Sequence, residues 1–320
     1  MQIISSPSLN EIHKAGKALK DGNLVAFPTE TVYGLGADAT NEYAVSKIYT
    51  VKGRPVNHPL IVHISSVSSI ENWATNIPDY AIKLAMQYWP GPMTLILPRK
   101  EIARNFITGG QSNVGLRVPS QTIALSLLKE FEELGGLGIA APSANRFGAV
   151  SPTTANAVEQ ELGAYFGAND LVLDGGPCLI GIESTIIKCT EDKPLILRPG
   201  AITRRMIQNT IGGSLEPIKS FETSRASGMF LSHYSPRANV VLNEKPNPGD
   251  GFIAIEEFDT PIDTVRLMAP IDSTQFAHGI YEAFRKADLL GLTRIVIIPP
   301  AGDDLCEAII DRLVKSSGHS

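Results

Sequence analysis

Apolar and polar positions along this chain switch repeatedly between helical and strand spacing. Ile12, Ala15, Ala18 and Leu19 recur at helical intervals over residues 9–21 and stop at Gly22, which predicts an amphipathic helix closed by a glycine. Val25, Ala26 and Phe27 then form a short buried strand within 23–27 that Pro28 ends. Thr40 and Glu42 open a helix through Ile48, 60–64 reads as a strand, and Pro78 sits at the first position of a helix that stops before Pro90-Gly91-Pro92. Further strands are predicted at 93–97, 114–118, 137–141, 171–173, 184–188 and 195–198. Interleaved strands and helices of this kind predict an α/β unit over residues 1–211.

Residues 212–236 break the pattern. Gly212-Gly213-Ser214, Pro217 and the run 223–228 show little apolar periodicity, so this stretch reads as a linker or a functional loop. Met229, Phe230, Leu231, His233 and Tyr234 are apolar or aromatic groups that a passive tether does not need, and they predict a lid across the mouth of a cavity, with Tyr234 touching the ligand. From 237 to 320, strands at 239–243, 251–255, 264–268 and 294–298 alternate with helices near 273–289 and 303–315, a smaller α/β unit.

Composition narrows the function classes. A chain of 320 residues with 43% apolar and 19% charged residues has material for two cores. A net charge of −5 excludes the global basic field of a dedicated nucleic-acid binder, so any RNA contact is local. Cys178, Cys189 and Cys306 are too few and too scattered for a disulfide framework or a CxxC zinc site. Residues 1–8 lack the basic and apolar regions of a secretory leader, and no apolar run approaches the ~20 residues of a membrane span. A cytoplasmic protein is the expectation.

Candidate chemistry concentrates at strand ends. Thr29, Glu30, Thr31, Tyr33, Gly34 and Gly36 crowd the exit of the strand at 23–27, and Lys52 and Arg54 follow one helix later, with a Gly-rich turn beside a solvated basic loop as the plain alternative. Hydroxyls and backbone amides there suit a small polar ligand, and the cations suit its anionic groups. Arg117, Ser143-Ala144-Asn145 and Arg198 each leave a predicted strand at its C-terminal end, where open α/β sheets bind ligands, and Ser184-Thr185 open another. Two stretches fit GxGxxG/A loosely, at 34–39 and 136–141. The second runs into Pro142 and the first lacks an acidic residue between Glu42 and Glu71, so neither is a dinucleotide site. There is no GxxxxGK[ST] loop. His58 and His63 are five apart around a strand, which is not metal-ligand spacing on a helix. With no Ser-His-Asp set and no carboxylate pair, catalysis by positioning and charge neutralisation, as in nucleotidyl transfer, suits the inventory.

PTETVYGLGADA at 28–39, KIYTVKGRP at 47–55, PLIVHI at 59–64, WPGPMTLIL at 89–97, VGLRVP at 114–119, APSAN at 141–145, SPT at 151–153, LDGG at 173–176, GIEST at 181–185 and LRPG at 197–200 together resemble the YrdC-like threonylcarbamoyl-AMP synthases. Ser227-Gly228-Met229 with His233-Tyr234-Ser235-Pro236 resembles the linker of the long, two-domain form. The resemblance implies a YrdC-like twisted open sheet with flanking helices and a cationic concave site, plus a smaller Rossmann-like α/β domain. It implies condensation of L-threonine, bicarbonate and ATP to threonylcarbamoyl-AMP and pyrophosphate. That product serves proteins that transfer the threonylcarbamoyl group to adenosine in tRNA. Thr31, His63, Arg117, Ala141 and Ser184 would surround threonine. Arg54, His58, Asn113, Ser143, Ser151, Arg198 and Tyr234 would line the ATP site, with Lys52 and Asn145 nearby, Lys52 and Arg54 serving catalysis, and magnesium carried on phosphate oxygens. His58 stands where the family usually has Asn, and Asn113 where Thr is common.

Overall fold

The computed structural model describes residues 1–215, 234–302 and 304–318. Most of the expected linker, residues 216–233, lies outside the described residues. Ten strands form the first sheet: β1 (Gln2–Ser5), β2 (Val25–Phe27), β3 (Gly34–Asp38), β4 (Ile61–His63), β5 (Met93–Pro98), β6 (Asn113–Arg117), β7 (Ile139–Ala140), β8 (Leu171–Asp174), β9 (Thr185–Lys188) and β10 (Leu195–Arg198). Their spatial order is β1-β8-β2-β3-β7-β4-β6-β5-β9-β10. A second sheet holds β11 (Asn239–Leu242), β12 (Gly251–Ile253), β13 (Val265–Met268) and β14 (Arg294–Ile297), all parallel, in the order β11-β14-β12-β13. A large twisted sheet with flanking helices and a smaller α/β unit agree with the sequence reading. Among the described residues no helix is long and apolar enough to cross a membrane.

The stretch 34–38 removes the plain alternative for this segment. It is no Gly-rich turn but strand β3, antiparallel to β2, with Gly34 opposite Phe27 and Gly36 opposite Val25. Its glycines answer to close packing. A Cβ on Gly36 would sit 2.8 Å from Ile139 Cγ2 and 2.9 Å from the carbonyl oxygen of Val25. Gly36→Ala should therefore lower stability by about 1–3 kcal/mol, as overpacking of a filled site does; a denaturant midpoint unchanged from the parent would refute this.

Helix Thr122–Glu133, which the pattern reading did not single out, packs Ala124, Leu127, Leu128 and Phe131 against Ile12, Ala15 and Leu19 of helix Leu9–Lys20. Helix Glu42–Lys52 starts with the Asn41 side chain accepting from the Ala44 amide and ends at Gly53 in the left-handed conformation, φ 62°. That cap turns the chain sharply between Lys52 and Arg54 and separates their two side chains.

The core of the second sheet does not stop at its own elements. Val32, Val150, Ile182 and Tyr234 share one cluster with Phe276, Ile280, Tyr281, Phe284 and Leu313. Gly181 shows how closely the segments meet: at φ 84°, its missing Cβ would lie 2.5 Å from the carbonyl oxygen of His278.

Candidate active site

One cavity collects most of the residues singled out from the sequence. Thr29 and Thr31 enter from the β2–β3 connection, Gly34 from the start of β3, Ile61 and His63 from β4, and Arg117 from β6. Ala141 and Ser143 follow β7, Ser184 precedes β9, Arg198 ends β10, and Arg54 and Tyr234 complete the wall. His63 and Arg117 are register partners in parallel strands, so their side chains share a face, with Ile61 two residues back on the same side.

This geometry revises the expectation that the ligand-binding groups gather where C-terminal strand ends meet. β4 runs antiparallel to β7 and parallel to β6, so the ends of β6 and β7 point in opposite directions. Arg117 and Ser143 reach one cavity because it lies across the face of the sheet between them.

The cations are buried and individually held. Arg117 donates through Nη2 to Glu30 Oε1 at 2.6 Å and to Thr31 Oγ1 at 2.9 Å, while Glu30 Oε2 accepts from the Ser120 amide at 3.0 Å. Both Nη2 protons are thereby engaged, and the buried Arg117 Nε has no hydrogen-bond partner among the described residues. Arg198 donates through Nε to the Ser184 carbonyl at 3.1 Å, through Nη2 to Ser184 Oγ at 3.3 Å and through Nη1 to the Tyr234 hydroxyl at 3.4 Å. Arg54 donates to the Pro59 carbonyl at 3.1 Å and lies over the Phe147 ring, 5.9 Å from its centre. Burial lowers the Arg54 guanidinium to about 10, which leaves it charged at neutral pH.

His63 is a neutral imidazole. Burial, and after it the Arg117 guanidinium, push it down to about 3, and its Nδ1 lacks a hydrogen-bond partner among the described residues. Its ring meets Phe27 edge-on at 5.9 Å. At neutral pH it offers a donor or an acceptor to a ligand, not a charge.

Five of the residues expected at the site stand off the cavity wall. Lys52 Nζ donates to the carbonyls of Ser143 and Asn145, and burial pushes its ammonium well below the ordinary value. Its Nζ thus holds the 143–145 segment in place. The Asn145 amide donates at 2.8 Å to the Arg146 carbonyl and at 2.7 Å to that of Ala149. The His58 ring lies 5.3 Å from that of Phe147, beside Arg54. Asn113 opens β6 four residues before Arg117, roughly 13 Å away along the strand. Ser151 Oγ donates at 2.6 Å to Glu183 Oε1, behind the wall.

Two carboxylates escaped the sequence reading. Glu30 was visible only as one polar residue in a crowded turn, and Glu183 only as part of GIEST; neither has a spacing partner that marks it. Glu183 lines the cavity, accepting from Ser151, from the Tyr281 hydroxyl at 2.9 Å and from Arg312 Nε at 2.8 Å. Burial would raise its carboxyl. The guanidiniums of Arg312 and Arg198, with these hydrogen bonds, outweigh that and hold it at about 2. Tyr281 and Arg312 sit in ordinary amphipathic helices far along the chain, where no local signal marks them.

Tyr234, from the end of the expected linker, lines the cavity. Its φ of 65° is rare for a side chain larger than glycine, and its ring stacks on Tyr281 at 5.7 Å. Burial raises its hydroxyl to about 12.

The chain compares closely with known proteins over its whole length. A family profile described as "Telomere recombination", of the Sua5, YciO and YrdC group, matches residues 17–200, and one described as "Threonylcarbamoyl-AMP synthase, C-terminal domain" matches 202–318. The threonylcarbamoyl-AMP synthase of Pyrococcus abyssi is 38% identical over 97% of this chain and 94% of its own. That of Bacillus subtilis is 38% identical over 96% and 93%. The crystal structure of P. abyssi Sua5 complexed with L-threonine superposes with a TM-score of 0.88 at 35% identity, covering 99% of this chain and 97% of that one. The chain belongs to the two-domain threonylcarbamoyl-AMP synthase family.

Proposed function

We propose that this chain is an L-threonylcarbamoyladenylate synthase that works by nucleotidyl transfer, condensing L-threonine, bicarbonate and ATP to threonylcarbamoyl-AMP and pyrophosphate for N6-threonylcarbamoyladenosine formation in tRNA. The observation that carries the reading is the convergence of Arg54, Arg117 and Arg198, each no more than 7% exposed, on one cavity. Buried cations of this kind recognise a small polyanion and cannot grip an RNA backbone, which needs them on the surface.

Threonine occupies the side of Thr31, His63, Arg117, Ala141 and Ser184. Its carboxylate meets the Arg117 N–H groups that Glu30 and Thr31 leave open, so the pairing uses Nε rather than the engaged Nη2. ATP lies toward Arg54, Ser143, Arg198 and Tyr234, where guanidiniums offset phosphate charge. Lys52 acts at one remove, by fixing the Ser143 and Asn145 backbone. The threonine amine takes up the carboxyl group of bicarbonate with loss of water, and the carbamate oxygen attacks the α-phosphorus and expels pyrophosphate. Burial of the site shields the mixed anhydride from hydrolysis. Among the described residues no cluster of three or more His, Cys, Asp or Glu side chains could hold a metal, and magnesium arrives on the phosphate oxygens of ATP.

Pyrophosphate release should require threonine and bicarbonate together, because the amine must be carboxylated before it can attack phosphorus. A coupled pyrophosphatase assay checks this by omitting each in turn. Equal release without threonine would overturn the reading.

A further inference from the structure

Arg312 lies in the C-terminal helix Asp304–Ser316, 1% exposed, and reaches out of its own unit to the cavity wall. Its Nε donates to Glu183 Oε2 at 2.8 Å, while Nη2 donates to the Glu183 carbonyl at 3.3 Å and the Pro199 carbonyl at 3.0 Å. Its Nη1 is bonded to Asp311, which Lys315 also holds at 2.8 Å. Glu183 precedes Ser184, and Pro199 follows Arg198, so one guanidinium pins the two segments that carry these wall residues. Its plane also covers the Tyr234 ring, 5.5 Å from the centre. Tyr281, from helix Ser273–Leu289, adds the third donor to the Glu183 carboxylate and stacks on Tyr234. Gly181 supplies an independent sign of built contact, because only glycine lets this segment lie flat against the His278 carbonyl.

The electrostatic problem is specific. A carboxylate in the wall of a cavity made for anions repels phosphate, and it competes with phosphate for Arg198, whose guanidinium stands beside it. We infer that Arg312, seconded by Tyr281, is a positioning residue for the synthase reaction: it neutralises and anchors Glu183 so that Arg198 stays on Ser184 and Tyr234, turned toward nucleotide. The second unit thereby forms part of the active-site wall. The inference rests on the reading of the cavity as the ATP and threonine site.

Three variants, Arg312→Met, Arg312→Lys and Tyr281→Phe, test it in steady-state kinetics with ATP and threonine varied separately. Arg312→Met should raise KM for ATP tenfold or more and KM for threonine by a clearly smaller factor, since Ser184 belongs to the network but Arg117 and Glu30 lie outside it. Arg312→Lys should recover part of the loss by restoring charge without the fork. Tyr281→Phe removes one hydroxyl only, keeps the aromatic stack, and should raise KM for ATP about threefold, which preserves the test if Arg312→Met does not fold. A purely structural role would lower the active fraction, reducing kcat while both KM values stay put, and that result overturns the inference. So would parent-like kinetics in Tyr281→Phe together with an Arg312→Met that folds and keeps its KM for ATP. Failure of the unaltered chain to release pyrophosphate with threonine would fall on the functional reading itself, and on this inference with it.

Discussion

Arg117→Ala should raise KM for L-threonine roughly 10- to 150-fold, the equivalent of about 1.5–3 kcal/mol for a lost charge-assisted pair. The same substitution should also destabilise the fold by about 3–5 kcal/mol, because Glu30 would remain as an uncompensated buried charge. Both partners of that ion pair are nearly inaccessible, at 5% and 4% side-chain exposure. The double variant Arg117→Ala with Glu30→Gln separates the two roles. Removing the carboxylate's charge should restore most of the stability, whereas threonine affinity should stay low because no guanidinium remains for its carboxylate. Isothermal titration with threonine, beside urea unfolding of each variant, provides both readouts. Recovery of threonine binding in the double variant would show that Arg117 serves only to neutralise Glu30.

Acidification from pH 6.5 to about 3 should remove on the order of 4 kcal/mol of stability through His63 alone, at about 1.4 kcal/mol per pH unit. The imidazole is held at about 3 in the fold against an ordinary 6.5. Between these values the unfolded chain binds a proton that the folded chain refuses, so stability is fully present above 6.5 and lost as pH falls toward 3. Glu183 acts in the same direction over a lower window, from its ordinary 4.5 down to about 2, since it stays ionised when folded. Urea unfolding of the ligand-free protein at successive pH values measures the slope. His63→Leu should flatten the curve between pH 6.5 and 4.5 and leave the steeper acid limb below it. An unchanged slope in that upper window would mean that the buried imidazole does not control it.

Much of the first sheet is legible locally. Val25 to Phe27, the run at 93–97 and the run at 195–198 are apolar segments bounded by Pro, Gly or charged residues, and each becomes a strand within a residue or two of its expected limits. The glycines of 34–38 misled for a physical reason. Glycine marks turns when it supplies positive φ, but Gly36 serves a strand whose neighbours leave no room for a side chain and Gly34 one whose neighbours are tight, and only the neighbours reveal that.

The site divides along the same line. The chemical inventory is readable along the chain: Thr31, Arg54, His63, Arg117, Ser143, Ser184, Arg198 and Tyr234 all reach one cavity, and their types already point to a small anionic ligand. Residue type and short motifs are local properties, set within a few bonds. Which polar groups and charges meet is set by packing. Lys52 turns into backbone carbonyls, Arg117 is shared with Glu30, and Glu183 is claimed by Arg312 from 129 residues away. Coulomb and hydrogen-bond energies depend on distance and burial, and both are fixed by how the strands of the first sheet and the helices of the second unit pack, so no spacing along the chain could have announced them.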